Sequence, residues 1–262
     1  MNIELHYNEL SGVIPPEWWG FRNLVRLNMG ANKFTGPIPS EVGQLVDLKG
    51  MFLFENQFSG QLPDEIGDLR GLTYLRLSRN NLNGTIPTTI GNLASLEGLW
   101  LHRNQLTGPL PDNFDTMSTL ADFRVHYNSL TGDLPDSLYS LERCFRVDLF
   151  NNNFTGTISP LIANMTGLYV FRVENNQLEG ELPIEMGDMP VIETLQLQGN
   201  AFNGTMPEAV CNKTMEAAVS RLETIEADCA AVGDVPPEFD CPCCTLCCNP
   251  DGEQCVRTEG QA

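Results

Sequence analysis

The chain has 262 residues and carries 34 acids against 15 bases, a formal net charge of −19. A field of that sign opposes the phosphate backbone, so no nucleic-acid partner is expected. No run of about 20 apolar residues occurs, so no transmembrane segment is expected within this chain, and any anchor would stand upstream of it.

Met1 falls inside the first periodic segment, with Trp18 and Trp19 at convex-side positions of the same unit. No signal peptide and no polar cap precede it, so the sequence reads as lacking its N-terminal cap. From there Asn8, Asn32, Asn56, Asn80, Asn104, Asn128, Asn152, Asn176 and Asn200 follow one another at an unbroken spacing of 24 residues. A Gly stands four residues after each, and a Pro seven after, except where Ser159 displaces the Pro to Pro160. A fixed period of this kind means one supersecondary unit copied along an axis.

Leu72 to Ser95 illustrates the unit. Leu75 and Leu77 alternate with polar neighbours, the mark of a short strand with one face inside. Stacked copies then form a parallel sheet over a shared core. Each Asn stands where the chain leaves the strand, placed to satisfy backbone groups that a buried turn leaves unpaired. The following Gly permits a bend, Ile-Pro fixes an extended segment, and the Ile-Gly-x-Leu stretch is long enough only for 3₁₀ turns. The expected fold is an α/β repeat solenoid with about ten parallel strands. It divides into residues 1–210, nine repeats, and residues 211–262, a cysteine-rich cap with a final strand.

These residues resemble the plant-type leucine-rich repeat, LxxLxLxxNxLxGxIPxxIGxL, of receptor ectodomains and polygalacturonase-inhibiting proteins. The resemblance implies a right-handed superhelix with a concave parallel sheet.

Beyond Cys211 the pattern changes. Asn212 to Arg221 reads as a helix, and Leu222, Ile225 and Ala227 repeat the strand spacing. Eight of the nine cysteines follow: Cys211, Cys229, Cys241, Cys243, Cys244, Cys247, Cys248 and Cys255. Four disulfides are expected of them, with a thiolate zinc site as the rival reading of the CPCCTLCC stretch. That stretch also resembles the caps of leucine-rich repeat proteins of diatoms. Cys144 occupies a core Leu column, with Leu120 and Leu168, and is expected to be a buried apolar residue. Glycosylation sequons begin at Asn83, Asn153, Asn164, Asn203 and Asn212. With the cysteines they point to an oxidising, extracellular or cell-surface setting.

The seven residues before each Asn hold 8 bases and 7 acids, whereas residues 203–262 hold 3 bases and 11 acids. The strand face is therefore the less acidic surface. It is expected to bind a protein or peptide ligand, or a glycan, through Phe52, Phe54, Arg76, Trp100, His102, Arg124, His126, Tyr127, Phe150 and Arg172. The opposing reading has the same side chains as a ladder: Arg76 and Arg124 stacked on Trp100, and Arg124, Asp148 and Arg172 alternating in sign. His102 and His126, with Asp122 and Asp148 near, raise acid–base or metal chemistry. An open sheet gives no enclosed pocket and no Ser or Cys nucleophile stands beside them, so no enzyme, metal or cofactor is expected. The resemblance implies a receptor-like recognition module. A secreted inhibitor of wall-degrading enzymes and an adhesive surface protein without a discrete ligand are the alternatives.

Overall fold

The computed structural model describes residues 1–215, 222–229, 239–248 and 255–257. It divides into two compact units, Met1–Leu130 and Thr131–Ala262. This division does not follow the repeat-and-cap boundary at 210. Repeats pack only against their neighbours, so packing alone creates no seam where the cap begins.

In the first unit the strands Asn2–Glu4, Arg26–Asn28, Gly50–Phe52, Tyr74–Arg76, Gly98–Trp100 and Asp122–Arg124 run parallel, each in register with its copy 24 residues away. In the second unit Arg146–Asp148, Val170–Arg172 and Thr194–Gln196 do the same. There the parallel series continues through Thr224–Ala227 to Leu246–Cys248, and Cys255–Arg257 then adds antiparallel. The tenth strand stands where Ile225 and Ala227 place it, and two strands follow that the sequence pattern does not announce. Each unit is an α/β solenoid built on parallel strands.

The backbone after each Asn is also a strand. Lys33–Gly36, Gln57–Gln61, Asn81–Gly84 and Gln105–Gly108 form a second parallel sheet in the first unit, offset by 22 residues per step. Glu179–Glu181, Ala201–Thr205 and Phe239–Asp240 pair likewise in the second. The bend expected at each Gly is present as a positive φ, 81° at Gly60 for example; it lies within the strand at Gly60 and on the last strand residue at Gly36, Gly84 and Gly108. The 3₁₀ turns are as expected, from Pro16–Gly20 to Ile184–Asp188. An extended Pro usually precedes the turn, as at Pro63 and Pro87. Where Ser159 replaces it, the Ser side chain accepts from the Leu161 N–H and Pro160 moves to the first helical position. In place of another such turn the chain forms an α-helix, Glu208–Met215. The helix read at Asn212 thus starts earlier, directly after Pro207, and the rest of the expected span lies outside the described residues.

The Asn side chains hold each unit together. Asn80 donates to the carbonyls of Leu77 at 3.0 Å and of Leu53, one repeat back, at 3.0 Å, and accepts from the Phe58 N–H at 3.0 Å. Asn104 and Asn128 repeat the pattern in the first unit, Asn176 and Asn200 in the second. The residue before each Asn is left-handed, Glu55 at φ 53° and Arg103 at 57° among them. That conformation is strained for residues with a Cβ, and the bonds around the Asn maintain it. The N–H groups of these two positions donate to the next repeat, as Glu55 to Ser78 O and Asn56 to Arg79 O. At the last full repeat a side chain takes over: Asp228 accepts from Gly199 N at 2.9 Å and from Asn200 N at 3.1 Å.

The Leu columns are buried except in the first repeat, where Leu10 is 41% exposed, and Cys144 is buried and unbonded to another sulfur. Trp19 is buried at 3% exposure, not displayed on the surface. The other eight cysteines pair as Cys211–Cys243, Cys229–Cys247, Cys241–Cys244 and Cys248–Cys255. The Sγ atoms of Cys229, Cys241 and Cys244 approach within 4.8 Å of one another, but each is already bonded to sulfur. Among the described residues no helix is long and apolar enough to cross a membrane.

Candidate ligand-binding face

On the first unit's strand face the large side chains form a graded stack. Arg26 lies 4.3 Å over the Phe52 ring, Arg76 stands 5.4 Å from Phe52 and 3.7 Å over Trp100, and Arg124 is 4.4 Å over Trp100. Phe52 also stacks against Tyr74, centroids 6.4 Å apart. Guanidinium groups over aromatic faces are attracted by the ring quadrupole, and the flat contact covers apolar area. Phe52 is only 5% exposed, so its expected solvent-facing position is corrected. Gly50 is the cause: a Cβ there would stand 2.4 Å from the ring, so its absence lets Phe52 lie back against the sheet. Phe54 uses Gly30 in the same way and meets Tyr7 edge-on at 6.4 Å, half-buried.

The cations differ in how they are compensated. Arg26 pairs with Glu4 at 2.7 Å. Arg124 reaches both oxygens of Asp122 at 2.7 Å, and the Trp100 Nε1–H donates to the same carboxylate at 2.9 Å. Arg124 and Asp122 thus pair within one strand. Among the described residues Arg76 has no such ion pair, although the charge of Asp122 acts on it, and its Nε is buried without a hydrogen-bond partner. Burial pushes its pKa below the ordinary guanidinium value.

His102 and His126 stack face to face, centroids 4.3 Å apart at 11°. Burial first, then the charges of Arg124, Arg79 and Arg103, lowers the His102 pKa to about 4, so it is neutral at pH 7. The His102 Nδ1 is buried and unpartnered. His126 is buried at 9%, a second departure from the expected exposed column. Tyr127 is exposed at 42%, with Arg103 4.3 Å over its ring. The first unit thus brings together Phe52, Arg76, Trp100 and Arg124 as one stack, with His102 and His126 beside it.

In the second unit Phe150 and Arg172 are half-buried on the strand face, and Arg146 pairs with the fully buried Asp148 at 2.8 Å. Sequence reasoning passed over Glu174 and Gln198, both in the column two residues before Asn. Each is buried at 8% exposure, and Glu174 Oε2 and Gln198 Oε1 have no hydrogen-bond partner. The missed signal was a carboxylate and an amide at adjacent column positions of a sheet that buries that column. The two units also differ in charge: residues 131–262 hold 21 acids and 6 bases, −15, against 13 acids and 9 bases, −4, in residues 1–130.

All five sequon asparagines are exposed, and none lies on the strand face. Asn83, Asn153 and Asn203 sit in second-sheet strands, Asn164 ends a 3₁₀ turn and Asn212 is in the α-helix.

The Leucine Rich Repeat family model matches residues 23–45, 71–93 and 95–117. No curated protein matches the chain. Among solved structures it is similar to the ectodomain of the membrane receptor kinase GASSHO1/SCHENGEN3 from Arabidopsis thaliana, in complex with CASPARIAN STRIP INTEGRITY FACTOR 2. The two are 31% identical over 87% of this chain and 29% of that one, with a TM-score of 0.71. A TDR receptor is 31% identical over 86% and 38%, TM-score 0.80. The Arabidopsis receptor kinase HAESA ectodomain, in complex with an N-terminally extended IDA peptide hormone, is 25% identical over 90% and 37%, TM-score 0.75. The chain spans less than half the length of these ectodomains. Its repeats are leucine-rich repeats, and receptors are among the solved structures it resembles.

Proposed function

We propose that this chain is an extracellular recognition module that binds a peptide or protein ligand on its strand face, receptor-like in role. The observation that carries the reading is Arg76. Its guanidinium lies 3.7 Å over Trp100 with no ion pair, while Arg26 and Arg124 on either side are each held by a carboxylate. A half-buried cation whose nearest counter-charge, Asp122, is already paired with Arg124 keeps a desolvation cost that an incoming acceptor relieves. Three further facts support the reading: solved ectodomains of similar fold hold ligands, the sequons leave the strand face clear, and the disulfides suit an oxidising compartment. Trp100 and Arg124 adjoin Arg76 as further contacts in the first unit, with the Arg103–Tyr127 pair on the same unit, and Phe150 and Arg172 are candidates in the second. Inhibition of wall-degrading enzymes would use the same face.

The test is a screen of secreted peptides against the immobilised chain, followed by Arg76→Ala and Trp100→Ala. Each change is expected to weaken an identified ligand at least tenfold, about 1.4 kcal/mol or more. Unaltered binding in both variants, with loss on reversing Asp64, Glu65 and Asp68 of the 3₁₀ side, would overturn it.

A further inference from the structure

We propose that Glu174, Gln198 and Glu226 form an acceptor site for a cationic group of the ligand, a lysine or arginine side chain or an amino terminus, on the strand face of the second unit. The inference rests on the reading of that face as a ligand-binding surface and gives the ligand its charge.

Two oxygens carry the argument. Glu174 Oε2 and Gln198 Oε1 are both buried and both without a donor. Their strands are adjacent and in register, Arg172 opposite Gln196, so the two residues two positions further on stand about 4.8 Å apart along the sheet. Gln198 cannot simply turn to satisfy itself, because its Nε2 already donates to Glu226 Oε2 at 2.8 Å, which fixes the amide with its oxygen unpaired. An unmade hydrogen bond on a buried oxygen is costly, and two side by side define a place for one group with several N–H donors. An ammonium or a guanidinium is such a group, and a single hydroxyl is not.

The charges agree. With Arg146 and Asp148 paired to each other, Glu174 and Glu226 face this position against Arg172. The surrounding unit carries −15, a field that concentrates cations. Burial foremost, with Asp148 and Glu226 adding, raises the Glu174 pKa to about 8 although a hydrogen bond from its own N–H and the charge of Arg172 oppose it, so the empty site is mostly protonated at pH 7. Entry of a cation favours the carboxylate. The Glu174 O–H bond breaks, its electrons stay on oxygen, and the proton passes to buffer.

Hexalysine is the probe, with fully acetylated hexalysine as the neutral control, titrated calorimetrically into the intact chain. At pH 7, buffers of different ionisation enthalpy are expected to report close to one proton released per bound peptide. Affinity is expected to fall about fiftyfold from pH 8 to pH 6. Glu174→Gln should lower affinity at least tenfold and abolish both effects, whereas Glu179→Gln, at an exposed acid of the second sheet, should leave them intact. Arg76→Ala should also leave hexalysine binding unchanged, so failure here and failure of the first-unit reading are separately visible. No binding, no proton release, or equal losses from Glu174→Gln and Glu179→Gln would overturn the proposal, the last by showing only diffuse attraction.

Discussion

The two units are built on one backbone and present two chemistries. In the first, arginines lie over aromatic rings and the net charge is −4; in the second, buried oxygens of Glu174 and Gln198 lack donors and the charge is −15. The Leu, Asn, Gly and Pro positions serve the scaffold, and where one varies, as at Cys144 or Ser159, the substitute still fills the core or caps the turn. The two strand-face columns are free of that duty, and there the units diverge. Chemistry in a repeat protein is therefore to be sought in the columns that break the repeat.

If the scaffold is shared, damage to it should be equal in both units. Asn80→Ala removes bonds to Leu53, Leu77 and Phe58, and Asn176→Ala those to Leu149, Val173 and Phe154, each change leaving several buried backbone groups unpaired. Each is expected to cost about 3–5 kcal/mol in urea unfolding. A cost confined to one unit would show that the Asn ladder is not a common element.

Reduction should instead separate the units. Breaking four disulfides adds eight hydrogens by intact mass, all in the second unit. Losing the 32-residue Cys211–Cys243 link alone is expected to cost roughly 3–4 kcal/mol. Amide exchange should quicken in residues 194–248 and stay unchanged in residues 26–124. Uniform loosening would contradict the division.

The smallest effect is the most diagnostic, because the units should respond to pH with opposite sign. The folded pKa of His102, about 4, lies below the ordinary imidazole value of 6.5, so the folded state binds fewer protons between them. The first unit loses stability as pH falls from about 6.5 to 4. The folded pKa of Glu174, about 8, lies above 4.5, so its contribution is greatest below pH 4.5 and is lost as pH rises through 8. On the order of 2–3 kcal/mol is expected for Glu174, and about 2 for the more exposed His102 after solvent screening. Thermal melts of Glu174→Gln should lack the alkaline loss, and those of His102→Gln the acid loss.

The sequence announced the scaffold because each of its demands leaves one residue type at one position: Leu for burial, Asn for its bonds to two repeats, Pro before the 3₁₀ turn. The second sheet escaped notice because Gly60 and its equivalents read as strand-breakers, yet in a stacked array their positive φ recurs in every copy and pairing survives. The left-handed positions were invisible for another reason: Glu55, Arg79 and Arg103 have no residue type in common, since the following Asn supplies the stabilisation. At the candidate site, alternation alone gives the side of the sheet and not the depth. Phe52 sank beneath Arg26 and Arg76 because of Gly50, a pairing that a column-by-column reading does not display.

Asp228 has a consequence for array length. Wherever another full repeat follows, the left-handed residue and its Asn hand their N–H groups to a carbonyl of the next copy; at Gly199 and Asn200 one carboxylate receives both. The two turn amides are met by a single side chain, while the strand before them still pairs onward with Thr224–Ala227. A repeat that departs from the 24-residue spacing can therefore dock without supplying the turn carbonyls. Insertion or excision of a whole 24-residue module ahead of Leu178 is expected to leave the Asp228 contact in place.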